Sequence, residues 1–258
     1  MRFSSDQIQK IGKEISSKVD GKTLFDEFSR GRYSTDASVY QIKPLGVVLP
    51  KDTNDVLNLM EYSQKNSIPL LARGGGSSQC GQTVGESVVL DYSKHQNKIL
   101  ELNVEEKYVW VQPGVVLDHL NDYLKPHGLW FPVDVSTSSR ATIGGMSANN
   151  SCGSRSLYYG NMVHNVLAIE AILDDGSIFN FDQINKNYLA TKNNQDRLYK
   201  IIDKFIDVRQ QVGGEIDTNW PTTQRRVGGY NIDLIDPEGF NSSNLLVGLS
   251  LIHISEPT

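Results

Sequence analysis

Residues 132–160 read PVDVSTSSRATIGGMSANNSCGSRSLYYG. So many Gly, Ser, Thr and Asn residues give up the apolar side chains that a core is made from. A fold accepts that loss where backbone and short polar side chains must line a polar ligand. Thr142-Ile143-Gly144-Gly145 reads as the start of a short helix whose N-terminus faces a phosphate, since the first N–H groups of a helix and its dipole favour an anion. The competing reading is a long irregular loop, and loops of this length without a task are uncommon.

Some sixty residues upstream stands a second polar cluster. Pro69-Leu70-Leu71-Ala72 reads as a buried strand that runs straight into Arg73-Gly74-Gly75-Gly76-Ser77-Ser78, and Ser87-Val88-Val89-Leu90-Asp91 reads as the next strand. Glycines in such a turn let backbone N–H groups approach an anion closely, phosphate above all; a Gly-rich surface turn is the plain alternative. No Gly-Lys-Ser/Thr follows, which excludes a Walker loop. The glycines are contiguous and a strand comes next, which excludes a Rossmann fingerprint.

Around these clusters the pattern predicts a mixed fold. Leu45 to Pro50 reads as a short buried strand, followed from about Thr53 by a helix with Val56, Leu59 and Met60 on one face. KILELN and KYVWVQPGV, between Lys98 and Val116, predict an antiparallel hairpin. Leu117, Leu120 and Leu124 share a helix face, with Gly128 at its C-terminal stop. Asn165 to Leu173 is apolar on both alternating sets, as a central strand would be, and Asp174-Asp175-Gly176 turns it into a partner strand. About 182–212 has helical apolar spacing. The first forty residues are polar and helical, capped at Ser5 or Asp6, with Ile8, Ile11 and Ile15 on one side, and read as a docking extension.

The chain has 258 residues and 38% hydrophobic content, enough for a packed core. A formal net charge of -5 with scattered basic residues offers no field for phosphate backbones, so no nucleic-acid partner is expected. The N-terminus lacks the apolar core of a secretory signal, and no run approaches the length of a transmembrane segment. The expected location is cytoplasmic, or peripheral to the inner membrane. Cys80 and Cys152 have no metal-ligand spacing and read as small buried thiols; no metal residues are assigned.

RGGGSSQCGQTVG, followed by SSRATIGGMSANNSCGSRSLYYG and an apolar strand ending in DDG, resembles the FAD-binding domain of the vanillyl-alcohol oxidase or PCMH flavoprotein family. Within it the chain is most similar to the glycolate oxidase and D-lactate or D-2-hydroxyglutarate dehydrogenase branch, over roughly 39–248. The resemblance implies an α+β, PCMH-type FAD-binding domain of two α/β subdomains, the first at about 40–95 and the second with a mainly antiparallel sheet. The implied organisation is an N-terminal helical extension at 1–39, the FAD-binding domain at 40–185, and a helical continuation with the start of a substrate domain at 186–248. The implied chemistry is oxidation of a 2-hydroxy acid by hydride transfer to the flavin, the electron acceptor being unassigned. A same-fold oxidase of a sugar, an aromatic alcohol or an amino-sugar nucleotide, and an FAD-binding fragment without turnover, are the alternatives.

Carried over position by position, the resemblance implies that Arg73, Gly74, Gly75, Gly76, Ser77 and Ser78 hold the FAD pyrophosphate, with Gln79, Gly81 and Gln82 continuing toward the flavin. Pro132, Ser138, Thr142, Gly144, Gly145, Ala148, Asn149, Ser151 and Gly153 would surround pyrophosphate, ribityl chain and isoalloxazine edge, and Val166 would lie near the adenine. Relatives with a tethered flavin often carry His directly after the glycine triplet, where this chain has Ser77, so the FAD is expected to be non-covalent. Arg225-Arg226-Val227-Gly228-Gly229-Tyr230-Asn231 resembles the family's element on the substrate side of the flavin. There Arg226 would grip a substrate carboxylate, with Tyr230 beside it. His127 and His164 read as structural or surface histidines, and no catalytic base is named. After Gly248 the family pattern stops, and residues 249–258 resemble the translation of a sequencing adapter. The chain is therefore expected to be a C-terminally truncated fragment, with any iron–sulfur cluster in the part beyond it.

Overall fold

The computed structural model describes residues 3–190, 196–223, 226 and 229–249. Chain order begins with α1 (Ser5–Ser16), β1 (Lys22–Leu24), α2 (Glu27–Arg32), β2 (Gly46–Leu49), α3 (Thr53–Asn66), β3 (Leu70–Arg73) and β4 (Val88–Asp91). These build one four-stranded sheet in the order β1-β2-β4-β3, in which β2, β4 and β3 are parallel and β1 runs antiparallel at the edge. Every residue of GVVL and VVLD is buried, as strands covered on both faces require. Ile8, Ile11, Ile15, Val56, Leu59, Val88 and Leu90 form the core on one face of the sheet, and Val47, Leu49 and Val89 that on the other.

The N-terminal segment, expected as a docking extension, belongs to this subdomain. Its helix is capped by Ser4 with Gln7 in a capping box, one residue before the expected cap. Ile15 has no exposed surface. Asp55, in the first turn of α3, accepts the N–H groups of Asp20 at 2.7 Å, Gly21 at 2.9 Å and Lys51 at 2.7 Å. That carboxylate fastens the turn before β1 to the helix that follows β2. The sequence pattern missed this because the tie is one buried side chain, with no periodicity to announce it.

The second part continues with β5 (Ile99–Asn103), β6 (Tyr108–Val111), α4 (Leu117–Leu124), α5 (Ile143–Ala148), α6 (Ser156–Tyr159), α7 (Met162–Asn165), β7 (Ile169–Ile172), β8 (Ile178–Phe181), β9 (Gln183–Asn185), α8 (Lys186–Ala190), α9 (Arg197–Asn219) and β10 (Gly239–Asn241). Its pairing is antiparallel, as expected, but falls into three two-stranded ladders, β5-β6, β7-β8 and β10-β9. The segment expected to be a central strand shortens to β7, which pairs only with β8 among the described residues and leaves Glu170 exposed. Of its apolar residues upstream of β7, Val166 packs with Val163, Leu117, Val133, Met146, Met162 and Val247 in one cluster, whereas Leu167 is exposed. A second cluster packs α9 through Leu198, Ile202 and Ile206 onto Phe181, Ile184 and Phe240. Among the described residues no helix is long and apolar enough to cross a membrane. The tail assigned no role lies outside them from residue 250 on.

If α1 is part of the core, Ile15→Ala should lower unfolding free energy by about 2–5 kcal/mol, the range for truncating a fully buried aliphatic residue. A denaturant titration measures this; a loss below roughly 0.5 kcal/mol, as for surface substitutions, would mean an appended helix.

Candidate functional site

The glycine loop leaves the C-terminal end of β3 at the edge of the sheet and is wound around its own first residue. Arg73 turns inward: Nη1 donates to the Thr83 carbonyl at 3.1 Å, Nη2 donates to the Thr35 carbonyl at 2.9 Å, and the guanidinium lies over the Tyr33 ring at 5.2 Å. Gly76 has φ +63°, and a Cβ there would stand 2.5 Å from Arg73 Nη2. Burial works to lower the Arg73 pKa, with Asp36 and Asp91 opposing it. Arg73, expected on the pyrophosphate, is spent on protein carbonyls instead. Sequence position puts it beside the loop, whereas the direction of its side chain is set by acceptors on two other segments.

Loop and second cluster meet closely where the loop is bare glycine. A Cβ on Gly74 would run into Thr142 Oγ1, and one on Gly75 into the Arg140 carbonyl. Gln82, buried, donates from Nε2 to Asn149 Oδ1 at 2.5 Å and is hydrogen-bonded to the Ser78 hydroxyl. Gly75 therefore has a structural duty independent of any ligand. Among the described residues, none of the N–H groups of residues 74–79 finds an acceptor in the protein. A row of free donors with a left-handed residue among them is the kind of concavity that binds anions.

The start of α5 behaves differently. Thr142 caps it, accepting from Gly145 N–H at 3.3 Å, while Ile143 N–H donates to the Val115 carbonyl at 2.8 Å and Gly144 N–H to the Pro113 carbonyl at 2.9 Å. These donors, expected to face a phosphate, are already paired. Gly144 is needed because Pro113 leaves no space for a Cβ. Gly153 packs against Asp134, whose carboxylate accepts from Ser154 Oγ at 2.8 Å and Arg155 N–H at 3.0 Å. Burial would raise the Asp134 pKa, but these hydrogen bonds outweigh it and hold it low. Pro132 and Ala148 are half-buried, and Gln79 is exposed. The hydroxyls of Ser77, Ser138 and Ser151 have no protein partner among the described residues. The Val166 carbonyl is taken by Asn241 Nδ2 at 2.9 Å and Ser243 Oγ at 3.3 Å.

Three features escaped the sequence reading. Asn150, buried at φ +44°, accepts from Val163 N–H at 3.0 Å and donates to the Arg226 carbonyl at 3.3 Å; Asn161 donates to the same carbonyl at 3.4 Å. The segment 34–42 closes on itself through Ile42 N–H to the Ser34 carbonyl at 2.8 Å. It then docks on the glycine loop through Ala37 N–H to the Gly76 carbonyl at 3.2 Å, Thr83 Oγ1 to Asp36 Oδ2 at 2.9 Å, and Tyr40 against Gly81. The run Asn149-Asn150 was a signal for the first; the docked segment 34–42 had none.

Arg226 pairs through Nη2 with this chain's own Asp233, and its guanidinium lies 5.3 Å from the centre of the Trp220 ring. One arm of the fork expected to meet a substrate carboxylate is thus engaged within the chain, while Nη1 is buried with no protein partner among the described residues. Tyr230 packs on Phe205 at 5.1 Å. Arg225, Val227 and Gly228 lie outside the described residues. His164 Nδ1 accepts from Asn161 N–H at 3.0 Å and so caps α7, and His127 stacks loosely on Tyr123. Cys80 is exposed and Cys152 half-buried, so the pair is not the buried one expected.

The FAD binding domain family matches residues 44–182. The D-2-hydroxyglutarate dehydrogenase of Haemophilus influenzae is 36% identical over 231 residues, which is 83% of this chain and 22% of that protein. Glycolate oxidase subunit GlcD of Bacillus subtilis is 35% identical over 175 residues, 66% of this chain and 37% of its own length. Among solved structures, BBE-like 1 of Physcomitrella patens superposes with a TM-score of 0.59 at 20% identity, over 69% of this chain and 39% of that one. The chain thus spans about a fifth of the length of the dehydrogenase it matches.

The Tyr33 hydroxyl that backs Arg73 donates to Asp91 Oδ2 at 2.6 Å, and burial, with the Asp91 carboxylate, pushes its pKa up to about 12. A raised folded pKa stabilises the protonated form, so this contribution is complete below the unfolded value near 10 and is lost as pH rises through 12. Tyr33→Phe should therefore lower stability at pH 8 and flatten the fall in stability between pH 10 and 12. Urea titrations across that range check it; an unchanged alkaline slope would contradict the assignment.

Proposed function

Because this chain belongs to the FAD binding domain family, we propose that it binds FAD at the seam between the glycine loop and the segment 132–153. The observation that carries this reading is the row of backbone N–H groups at residues 74–79 without protein acceptors. A diphosphate fits such a row because the glycines leave the backbone bare and the donors give up no protein acceptor to meet an anion. The free hydroxyls of Ser77, Ser138 and Ser151 can hydrogen-bond phosphate and ribityl oxygens along the same seam. Gly74, Gly75, Gln82 and Asn149 act by holding the two walls together, whereas Gly81, Gly144, Gly145 and Gly153 allow close packing of each wall on its own neighbours; Pro132, Thr142, Ala148 and Val166 shape the walls.

Bound FAD supplies a two-electron acceptor; the protein orients the substrate and excludes competing reactions. The reading extends to the complete protein as oxidation of a 2-hydroxy acid, in which the α-carbon gives up a hydride and a base takes the hydroxyl proton. Support comes from the names of relatives at 36% and 35% identity, D-2-hydroxyglutarate dehydrogenase and glycolate oxidase subunit. Arg226 adds to it only through Nη1, a buried donor with no protein partner among the described residues, since Nη2 is paired with Asp233. The cofactor is non-covalent, Ser77 being unable to form the histidyl link that tethered relatives use.

The test is a titration of the 258-residue chain with FAD and with riboflavin, which lacks phosphates. Hydrogen bonds to a charged group contribute about 1.5–3 kcal/mol each, so riboflavin should bind at least roughly tenfold more weakly. Acid denaturation should release the flavin. Equal affinity for both ligands, or flavin retained by the denatured chain, would overturn the reading.

A further inference from the structure

Two arginines flank the glycine loop, and the structure gives them opposite surroundings. Arg73 donates to two carbonyls, lies over Tyr33 and has the Asp36 and Asp91 charges set against its own. Its guanidinium also fills the space beneath Gly76 that a Cβ would need. Moving it toward a ligand would leave the Thr35 and Thr83 carbonyls without their donor and take away the support for the left-handed turn. Arg140 is the reverse. Its carbonyl lies against Gly75, so its backbone is fixed at the rim of the free N–H row. A turn holds it there, with Arg140 and Ala141 N–H both donating to the Thr137 carbonyl at 2.8 Å and Ala141 buried behind. Yet its side chain is exposed and, among the described residues, makes no ion pair, hydrogen bond or ring contact.

Backbone N–H groups meet a diphosphate only with partial charges. A diphosphate held by them alone keeps most of its formal charge, and an arginine fork at the rim matches two phosphate oxygens at once. We propose that Arg140 supplies the full positive charge to the cofactor's diphosphate, and that Arg73 is a positioning residue that holds the glycine loop in its left-handed turn. The proposal rests on the FAD reading and adds a binding residue to it.

The experiment titrates the 258-residue chain with FAD and with inorganic pyrophosphate at low and high KCl, in unmodified form and as Arg140→Gln, Arg140→Lys and Arg73→Lys. Losing one charge-assisted contact should weaken Arg140→Gln for both ligands by roughly ten- to a hundredfold and remove most of the salt dependence. Arg140→Lys should recover part of the affinity. Riboflavin binding should not change. Arg73→Lys should weaken FAD while keeping the salt dependence, and should shift the amide resonances of residues 75–78 before any ligand is added, which Arg140→Gln should not do. FAD and pyrophosphate binding undisturbed by Arg140→Gln would overturn the proposal and leave the FAD reading standing. Loss of the salt dependence in Arg73→Lys instead of Arg140→Gln would also overturn it. If the unmodified chain bound neither ligand, the FAD reading would fall and the proposal with it.

Discussion

Two stretches of chain some sixty-five residues apart touch with bare glycine on one side: Gly74 against the Thr142 side chain, and Gly75 against the Arg140 carbonyl. Everything of chemical interest is arranged by that contact. It brings the end of a parallel sheet onto a polar segment with little apolar surface of its own, and does so only because glycine has no Cβ to hold the walls apart. The N–H groups of residues 74–79 beside it have no protein acceptor among the described residues.

A contact in which one wall is bare glycine has little packing energy to hold it, and the surroundings supply what it lacks. Arg73 and Tyr33 brace the loop from within, the segment 34–42 holds it from one side through Gly76, Thr83 and Gly81, and the Gln82–Asn149 hydrogen bond closes the other side. Behind the second wall, Asn150 and Asn161 converge on the Arg226 carbonyl, and Gly248 N–H donates to the Ser147 carbonyl at 2.9 Å. The residue after the buried Val247 is thereby tied to α5, close to the seam.

The outline of this arrangement was legible in the sequence. Contiguous glycines at the end of an apolar strand, and a long run without core-forming residues, are local features that physics restricts to few uses, and most strands and helices were marked by alternation, helical spacing or caps. What could not be read was set by distant partners. That α5 would spend its first N–H groups on Pro113 and Val115 depends on a turn thirty residues earlier. That Arg226 would find Asp233, or Arg73 the Thr35 and Thr83 carbonyls, depends on where loops come to rest. The N-terminal helix looked detachable because the Asp55 carboxylate that fastens the turn after it lies on another element. The apolar run at 165–173 was read as one central strand because packing between loops and pairing in a sheet leave the same apolar signature.

The central claim is that the free donors of residues 74–79, and not the N-terminus of α5, form the anion site. Site-resolved amide hydrogen exchange with and without FAD tests it most directly. Residues 74–79 should exchange fast in the free chain, having no protein acceptors, and become protected when FAD is added, while Ile143, Gly144 and Gly145 keep the protection that their existing bonds give. Protection gained at Ile143 to Gly145 with residues 74–79 still exchanging fast would contradict the account.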